Sequence, residues 1–210
     1  MIIRREALQA TLPATTAHDS RFFLQSVQIE PSGRVVSTNG HVLIIAEDDS
    51  PHADADFPQV AAAPFHGSPT KPVLLDASIA KRLIQTMPKK ATIPILGAIQ
   101  VSMNGSPDTV SVLATDLQTP TTATIDLREQ HTFPQYERLI EQNKTPDNQD
   151  VKVCLAVDVL ETLIKSAKAV NSKQITFTVP TAKPAVLDAL AFSLHAADVK
   201  VSGLAMPCRV

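Results

Sequence analysis

The chain has 210 residues, 44% hydrophobic and 19% charged, with a formal net charge of −2. That length suits one large or two small domains with a real core. The charge excludes a bulk positive field that would draw the protein onto nucleic acid or an anionic membrane, so any polyanion contact must come from local clusters. Neither a GxGxxG nor a GxxxxGKS/T stretch occurs, which leaves dinucleotide and P-loop chemistry without support. With no Trp and a single Tyr, Tyr136, platforms for stacking bases are poorly supplied. Cys154 and Cys208 lack zinc-ligand spacing; they fit the reduced thiols of a cytoplasmic protein and leave a disulfide open. The opening "MIIRREALQATL" lacks the apolar core of a signal peptide. No apolar run approaches the ~20 residues that span a bilayer, so a soluble, cytoplasmic protein is expected.

The first segment, 1–47, reads as a strand stub "MII", a short helix "RREALQATL", and strands "RFFLQSVQIE", "RVVST" and "HVLIIAE". Residues 48–72 mix prolines, acids and alanines without period and are expected to be a linker or long loop. From 73 to 140 the order is strand "PVLLD", helix "ASIAKRLIQTM", then strands "AIQVSM", "TVSVLAT" and "TATIDL". Asp76 is placed to cap that helix, and Ala80, Leu83, Ile84 and Met87 form its apolar face. A polar, turn-rich linker follows at 141–150. Residues 151–210 repeat the plan: strand "VKVCLA", helix "VDVLETLIKSAKAV" with Leu160, Leu163, Ile164 and Ala167 on one face, then "QITFTV", "ALAFSLH" and "VKVSGLAM". The whole is an α+β chain that uses a βαβββ unit about three times, with antiparallel sheets on one side and helices on the other.

The helical segments share a second face rich in cations: Arg4 and Arg5, then Lys81, Arg82, Lys89 and Lys90, then Lys165, Lys168 and Lys173. Solvation and the helix dipole account for such residues taken singly. Gathered on one class of helix in a slightly acidic protein, they also suit a phosphate backbone. Other chemistry has less support. His52, Asp54, Asp56 and His66 are metal-ligand types, but they sit in the expected loop, where a preorganised site is hard to hold. Neither cysteine has a visible His partner, and both are expected to be buried and inert. Asp158 and Glu161 are a helix-start acid and an exposed acid rather than a catalytic pair.

Four stretches resemble the bacterial DNA polymerase III beta subunit, the sliding clamp. "STNGHVL" in 37–43 is similar to the family's A-T-D-G-H-R-L turn, and "TIPILG" and "TDLQ" in 90–125 to its T-L-P-I-L-G and T-D-L-E. "FPQYERLIE", 133–141, looks like its F-P-D-Y-R-R segment, and "GLAMPCRV" like its closing V-V-M-P-M-R-L. The resemblance implies a DNA-clamp fold, no catalysis and no cofactor. It also implies double-stranded DNA held without sequence preference, and a hydrophobic groove that receives short motifs of a DNA polymerase or other partner. By matching position the groove would use Thr38, Gly40, His41 and Leu43 with Leu204, Ala205, Met206, Pro207, Cys208, Arg209 and Val210. Taken without the family, the same residues are a hairpin turn and a last strand. Asn39 and Val42 replace the family's turn acid and Arg, and Cys208 and Val210 its closing Met and Leu; these bear on the breadth of partner choice. Rings of this family hold twelve half-units, so three per chain imply a homo-oligomer of four. The alternative is an adaptor that keeps the fold and does not encircle DNA.

Overall fold

Short apolar runs separated by turn residues become strands in a computed structural model of the chain, which describes residues 1–17, 20–49, 52–60, 64–89, 93–142, 153–179, 189–196 and 198–208. The strands are β1 (Ile2–Arg4), β2 (Ser26–Ile29), β3 (Val35–Thr38), β4 (Val42–Asp48), β5 (Val73–Asp76), β6 (Ala98–Met103), β7 (Thr109–Thr115), β8 (Pro120–Asp126), β9 (Ile175–Thr178), β10 (Leu190–His195) and β11 (Val199–Ala205). The helices are α1 (Arg5–Thr11), α2 (Ala77–Thr86), α3 (Tyr136–Gln142) and α4 (Val157–Ala169). Among the described residues the strands form two antiparallel sheets, β1-β6-β7-β8 and β5-β2-β3-β4-β11-β10-β9.

The sheet orders reveal an exchange that the linear repeat does not show. β1 leads the first unit but pairs with β6 of the second, Ile3 opposite Ile99. β5 leads the second unit but pairs with β2 of the first, Leu75 opposite Val27. Each unit thereby lends its leading strand to the other. The third unit joins differently, through its last strand: β11 pairs with β4 over seven residues, from Val199 opposite Asp48 to Ala205 opposite Val42.

Strand alternation gives the long sheet two buried faces. Val35, Val42, Ile44, Ala46, Val201 and Ala205 face one way, into the main core with Leu8 of α1, Leu83 of α2 and Leu163 of α4. Val36, Leu43, Ile45 and Leu204 face the other way and are covered by Phe133 and Tyr136. A run such as Val42–Ala46 is continuously apolar because both faces are covered. Ser37 clips helix to sheet by donating to the Thr11 carbonyl at 2.6 Å.

Asp76 caps α2 as expected; its carboxylate accepts from the Ser78 N–H at 2.7 Å. The described residues between β4 and β5 carry one 3-10 turn, Asp54–Asp56, and no strand, and this loop is anchored: Phe57 is buried with Ile2, Ile95, Leu96 and Leu113, and the Gly67 carbonyl accepts from the Met103 N–H at 2.8 Å. Three expectations need correction. In "RFFLQSVQIE" only Ser26–Ile29 is strand, because Phe22–Gln25 winds into a 3-10 turn. In "VKVCLA", residues 153–156 belong to no strand, while 151 and 152 lie outside the described residues. α4 is rotated from its expected face: Val159, Leu163, Ser166 and Ala167 are buried, whereas Ile164 is 45% exposed. No described helix is long and apolar enough to cross a membrane.

Candidate functional site

The turn between β3 and β4 is built by its own side chains. Asn39 Oδ1 accepts from the backbone N–H groups of His41 and Val42 at 3.0 and 2.8 Å. Thr38 Oγ1 donates to the Val42 carbonyl at 2.8 Å and accepts from the Gly40 N–H at 3.1 Å. Gly40 sits at φ +85°, a conformation that side-chain-bearing residues rarely adopt. Asn39 therefore closes the turn without the family's acid, since an amide oxygen accepts these bonds as a carboxylate does.

The chain end reaches this turn. β11 runs beside β4 with Leu204 opposite Leu43, and beyond it the Met206 N–H donates to the His41 carbonyl at 2.6 Å. The Cys208 N–H then donates to the Cys154 carbonyl at 2.7 Å. Thr38, Gly40, His41, Leu43, Leu204, Met206 and Pro207 are thus gathered at one end of the long sheet. Gly40, His41, Met206 and Cys208 are exposed, and Met206 offers the apolar surface there, at 43%.

Three assignments change. Leu43 and Leu204 are not open walls: they form a floor beneath Phe133 and Tyr136 and are 6% and 5% exposed. Ala205 points into the main core on the helix side, because strand alternation turns it away from its neighbour Leu204. Cys154 and Cys208 are both exposed rather than buried. Arg209 and Val210 lie outside the described residues.

Residues that the turn-and-tail pattern left out complete the site. The 133–140 segment lies over the outer face, with Phe133 edge-on to Tyr136 at 6.3 Å and Ile140 against the same cluster. Tyr136 donates to Glu30 at 2.5 Å, and Arg34 reaches both Tyr136 and Glu47. Burial, reinforced by Glu30, pushes the Tyr136 phenol well above its ordinary range, while Arg34 opposes that rise. The phenol thus stays a hydrogen-bond donor. The signal for this segment was "FPQY", whose single tyrosine is otherwise unexplained.

The cations divide by burial. Arg4 pairs with Asp48 at 2.7 Å, and Arg5 donates to the Pro88 carbonyl at 2.5 Å; both are half-buried links within the fold and leave the candidate DNA-facing set. Lys81, Arg82, Lys89, Lys165, Lys168 and Lys173 are exposed; Lys90 lies outside the described residues. Lys165 stands 3.6 Å from Glu161, a solvent-exposed pair that screening weakens. Lys81 of α2 and Lys165 of α4 line one cleft of about 720 Å³ together with Gln9 and Leu12 from the α1 end. All three helices therefore share the side of the sheets opposite Phe133 and Tyr136.

Of the metal-ligand types in the 48–72 stretch, Asp54 meets the Met1 ammonium at 3.0 Å and the Ser68 hydroxyl at 3.1 Å. Asp56 accepts from the Ala53 N–H at 3.2 Å. Among the described residues no three His, Cys, Asp or Glu side chains are grouped to hold a metal.

Comparison with known proteins matches this geometry at the level of fold. No family model and no curated protein matches the sequence. The structure is similar to the DNA polymerase sliding clamp of Pseudomonas aeruginosa, at 15% identity and a TM-score of 0.60, covering 100% of this chain and 66% of that one. It is similar to the DNA polymerase III beta subunit of Thermotoga maritima, at 9% identity and a TM-score of 0.56, over 99% of this chain and 64% of that one. Proliferating cellular nuclear antigen from Entamoeba histolytica matches at 8% identity and a TM-score of 0.54, over 98% of this chain and 94% of that one. The chain has the sliding-clamp fold, and it spans less than two-thirds of the length of the bacterial clamp subunits.

Proposed function

We propose that this clamp-fold chain is a non-catalytic processivity factor. It holds duplex DNA without sequence preference against the face carrying α1, α2 and α4. At the Gly40 turn and chain end it seats short apolar segments of a DNA polymerase or another partner. The observation that carries this reading is the separation of the two candidate surfaces onto opposite faces of the sheets: exposed lysines around one helix-side cleft, and the turn bonded to the tail beside the outer-face cluster. A protein that grips a backbone on one side and a partner on the other needs this arrangement. A modest net charge suits contacts that need only be weak and sequence-independent. Met206 suits a surface that accepts several partners. Four chains of three half-units would complete a ring.

The use of Arg4 and Arg5 inside the fold favours the second reading, an adaptor that binds peptides and does not encircle DNA. Two variants separate the readings. Reversing Lys81, Arg82, Lys165 and Lys168 to Glu is expected to cut duplex affinity at least tenfold. It should also flatten the salt dependence by about 0.9 for each phosphate that is no longer neutralised. Affinity for a polymerase-derived apolar peptide should stay unchanged. Deleting 206–210 is expected to do the converse in a fluorescence-polarisation titration. Unchanged peptide affinity after the deletion refutes the groove, and unchanged DNA affinity after the charge reversal leaves the adaptor.

A further inference from the structure

We infer that the third half-unit docks on the third half-unit of a second copy of this chain by reciprocal strand exchange. Sheet topology supports this pairing independently of DNA or peptide binding. In the first two half-units the leading strand always pairs with the partner's first strand after the helix: β1 with β6, β5 with β2. In the third, both halves of that arrangement are left over among the described residues. Residues 153–156 lead into α4 with Ala156 extended at φ −64°, ψ 149°, yet join no strand among the described residues. β9, the first strand after α4, is the end of its sheet, with β10 as its one strand partner among the described residues.

The helix makes the same point independently. Leu8 of α1 and Ala80 of α2 lie four residues after the helix N-cap and are fully buried; Leu160 holds that place in α4 and is half-buried. Leu12 and Ile84, four residues further on, pack on the core, whereas Ile164 is 45% exposed. Val157, one turn before Leu160, is 73% exposed. Val157, Leu160 and Ile164 therefore form an apolar stripe where the other helices have a companion half-unit.

The occupant is a second copy because donor segment and acceptor edge belong to the same half-unit. One two-fold axis then satisfies both copies at once, whereas any other partner would need the complementary pair of its own. The existing pairs also fix the register. The residue before each N-cap, Ile3 or Leu75, faces the main core opposite a core-facing residue, Ile99 or Val27. In the third half-unit Leu155, Ile175 and Phe177 pack on that core. Leu155 of one copy thus meets Ile175 of the other, Cys154 meets Thr176, and Val153 meets Phe177. The backbone agrees: the Cys154 carbonyl is turned to Cys208, so Val153 and Leu155 direct their hydrogen-bonding groups to the opposite edge. Two such dimers would close a ring by pairing their β8 edges, as β4 pairs with β11 inside the chain.

Cys154 and Thr176 would form a non-hydrogen-bonded pair with Cα atoms about 4.5 Å apart, within the ~4.4–6.8 Å range that a disulfide spans. Under mild oxidation, Thr176→Cys in a Cys208→Ser background is expected to run as a disulfide-linked dimer, and Cys208→Ser alone as a single chain on a denaturing gel. In sedimentation the Cys208→Ser protein should weigh at least twice the 22.5 kDa chain. Ile164→Glu, at an exposed position, should keep the circular dichroism of the parent and sediment at no more than half the parent's mass. A parent that sediments at 22.5 kDa at micromolar concentration, or a Thr176→Cys protein that stays unlinked, overturns the exchange. Loss of DNA binding with the dimer intact would sink the proposed function and leave this inference standing.

Discussion

Gly203→Val is expected to release the third half-unit from the rest of the chain. Gly203 sits opposite Ile44 on one side and Phe192 on the other. A Cβ there would run into the Leu43 carbonyl and carbon, and into the Phe192 ring. Two of those three atoms are backbone in a paired strand and cannot turn aside. Phe192 spreads across the space the glycine leaves, a common way to cover a bare position in a sheet. Overpacking of this kind costs about 1–3 kcal/mol, occasionally more, and an unyielding obstacle puts it at the upper end. The loss should be local. Hydrogen exchange is expected to lose protection in β10, β11 and α4, while β6 and β7 keep theirs, because they are hydrogen-bonded in a separate sheet from the one that holds this joint. Since β11 leads to Met206, the proposed peptide groove should be lost as well. Uniform protection in the variant would show that the β4–β11 pairing is not what holds the third half-unit.

Tyr136→Ala is expected to uncover the opposite face of the same sheet. Tyr136 is 2% exposed and packs over Val36, Leu43, Ile45 and Leu204. Truncating a buried aromatic of this size costs about 3–5 kcal/mol. Tyr136→Phe keeps the ring and removes the bond to the Glu30 carboxylate, a loss of about 1.5–3 kcal/mol. The pH dependence separates ring from hydroxyl. The folded phenol is pushed above its ordinary value of 10.0, so the native state keeps a proton that the unfolded chain gives up. Its contribution is therefore complete below pH 10 and is lost as the pH rises beyond it. Denaturant titrations should show the parent losing stability in that window, with the loss smaller in Tyr136→Phe. Equal alkaline loss in both proteins would mean that the phenol is not the group concerned.

The repeat was legible because each helix carries a 3.6-residue apolar stripe and each strand a short branched-aliphatic run, and local chemistry set both. Asp76 was legible as a cap for the same reason. The exchange of leading strands was not, since nothing in "MII" or "PVLLD" says which neighbour it will pair with; that choice is made by tertiary packing. The rotation of α4 escaped for a related reason. Val157, Leu160 and Ile164 have the period of a buried stripe, but the face actually covered includes Ser166, whose hydroxyl is satisfied by the Thr162 carbonyl at 3.1 Å. At the candidate groove the turn and tail could be named from their residues. The 133–140 segment that covers their floor could not, because its place depends on long-range contacts: Tyr136 with Glu30 and Arg34, and Phe133 and Tyr136 on the outer-face cluster. Arg4 and Arg5 looked like surface cations until their partners, Asp48 and Pro88, were brought beside them from distant parts of the chain.

The most direct test of the two-faced arrangement is lysine acetylation read by mass spectrometry, with and without duplex DNA. Lys81, Lys89, Lys165, Lys168 and Lys173 are exposed on or just beyond α2 and α4, and Lys200 is exposed on β11, directed away from the helices by its place between the core-facing Val199 and Val201. Duplex DNA is expected to protect Lys81, Lys165 and Lys168 and to leave Lys200 as reactive as before. Protection of Lys200 with the helix lysines still reactive would contradict the account.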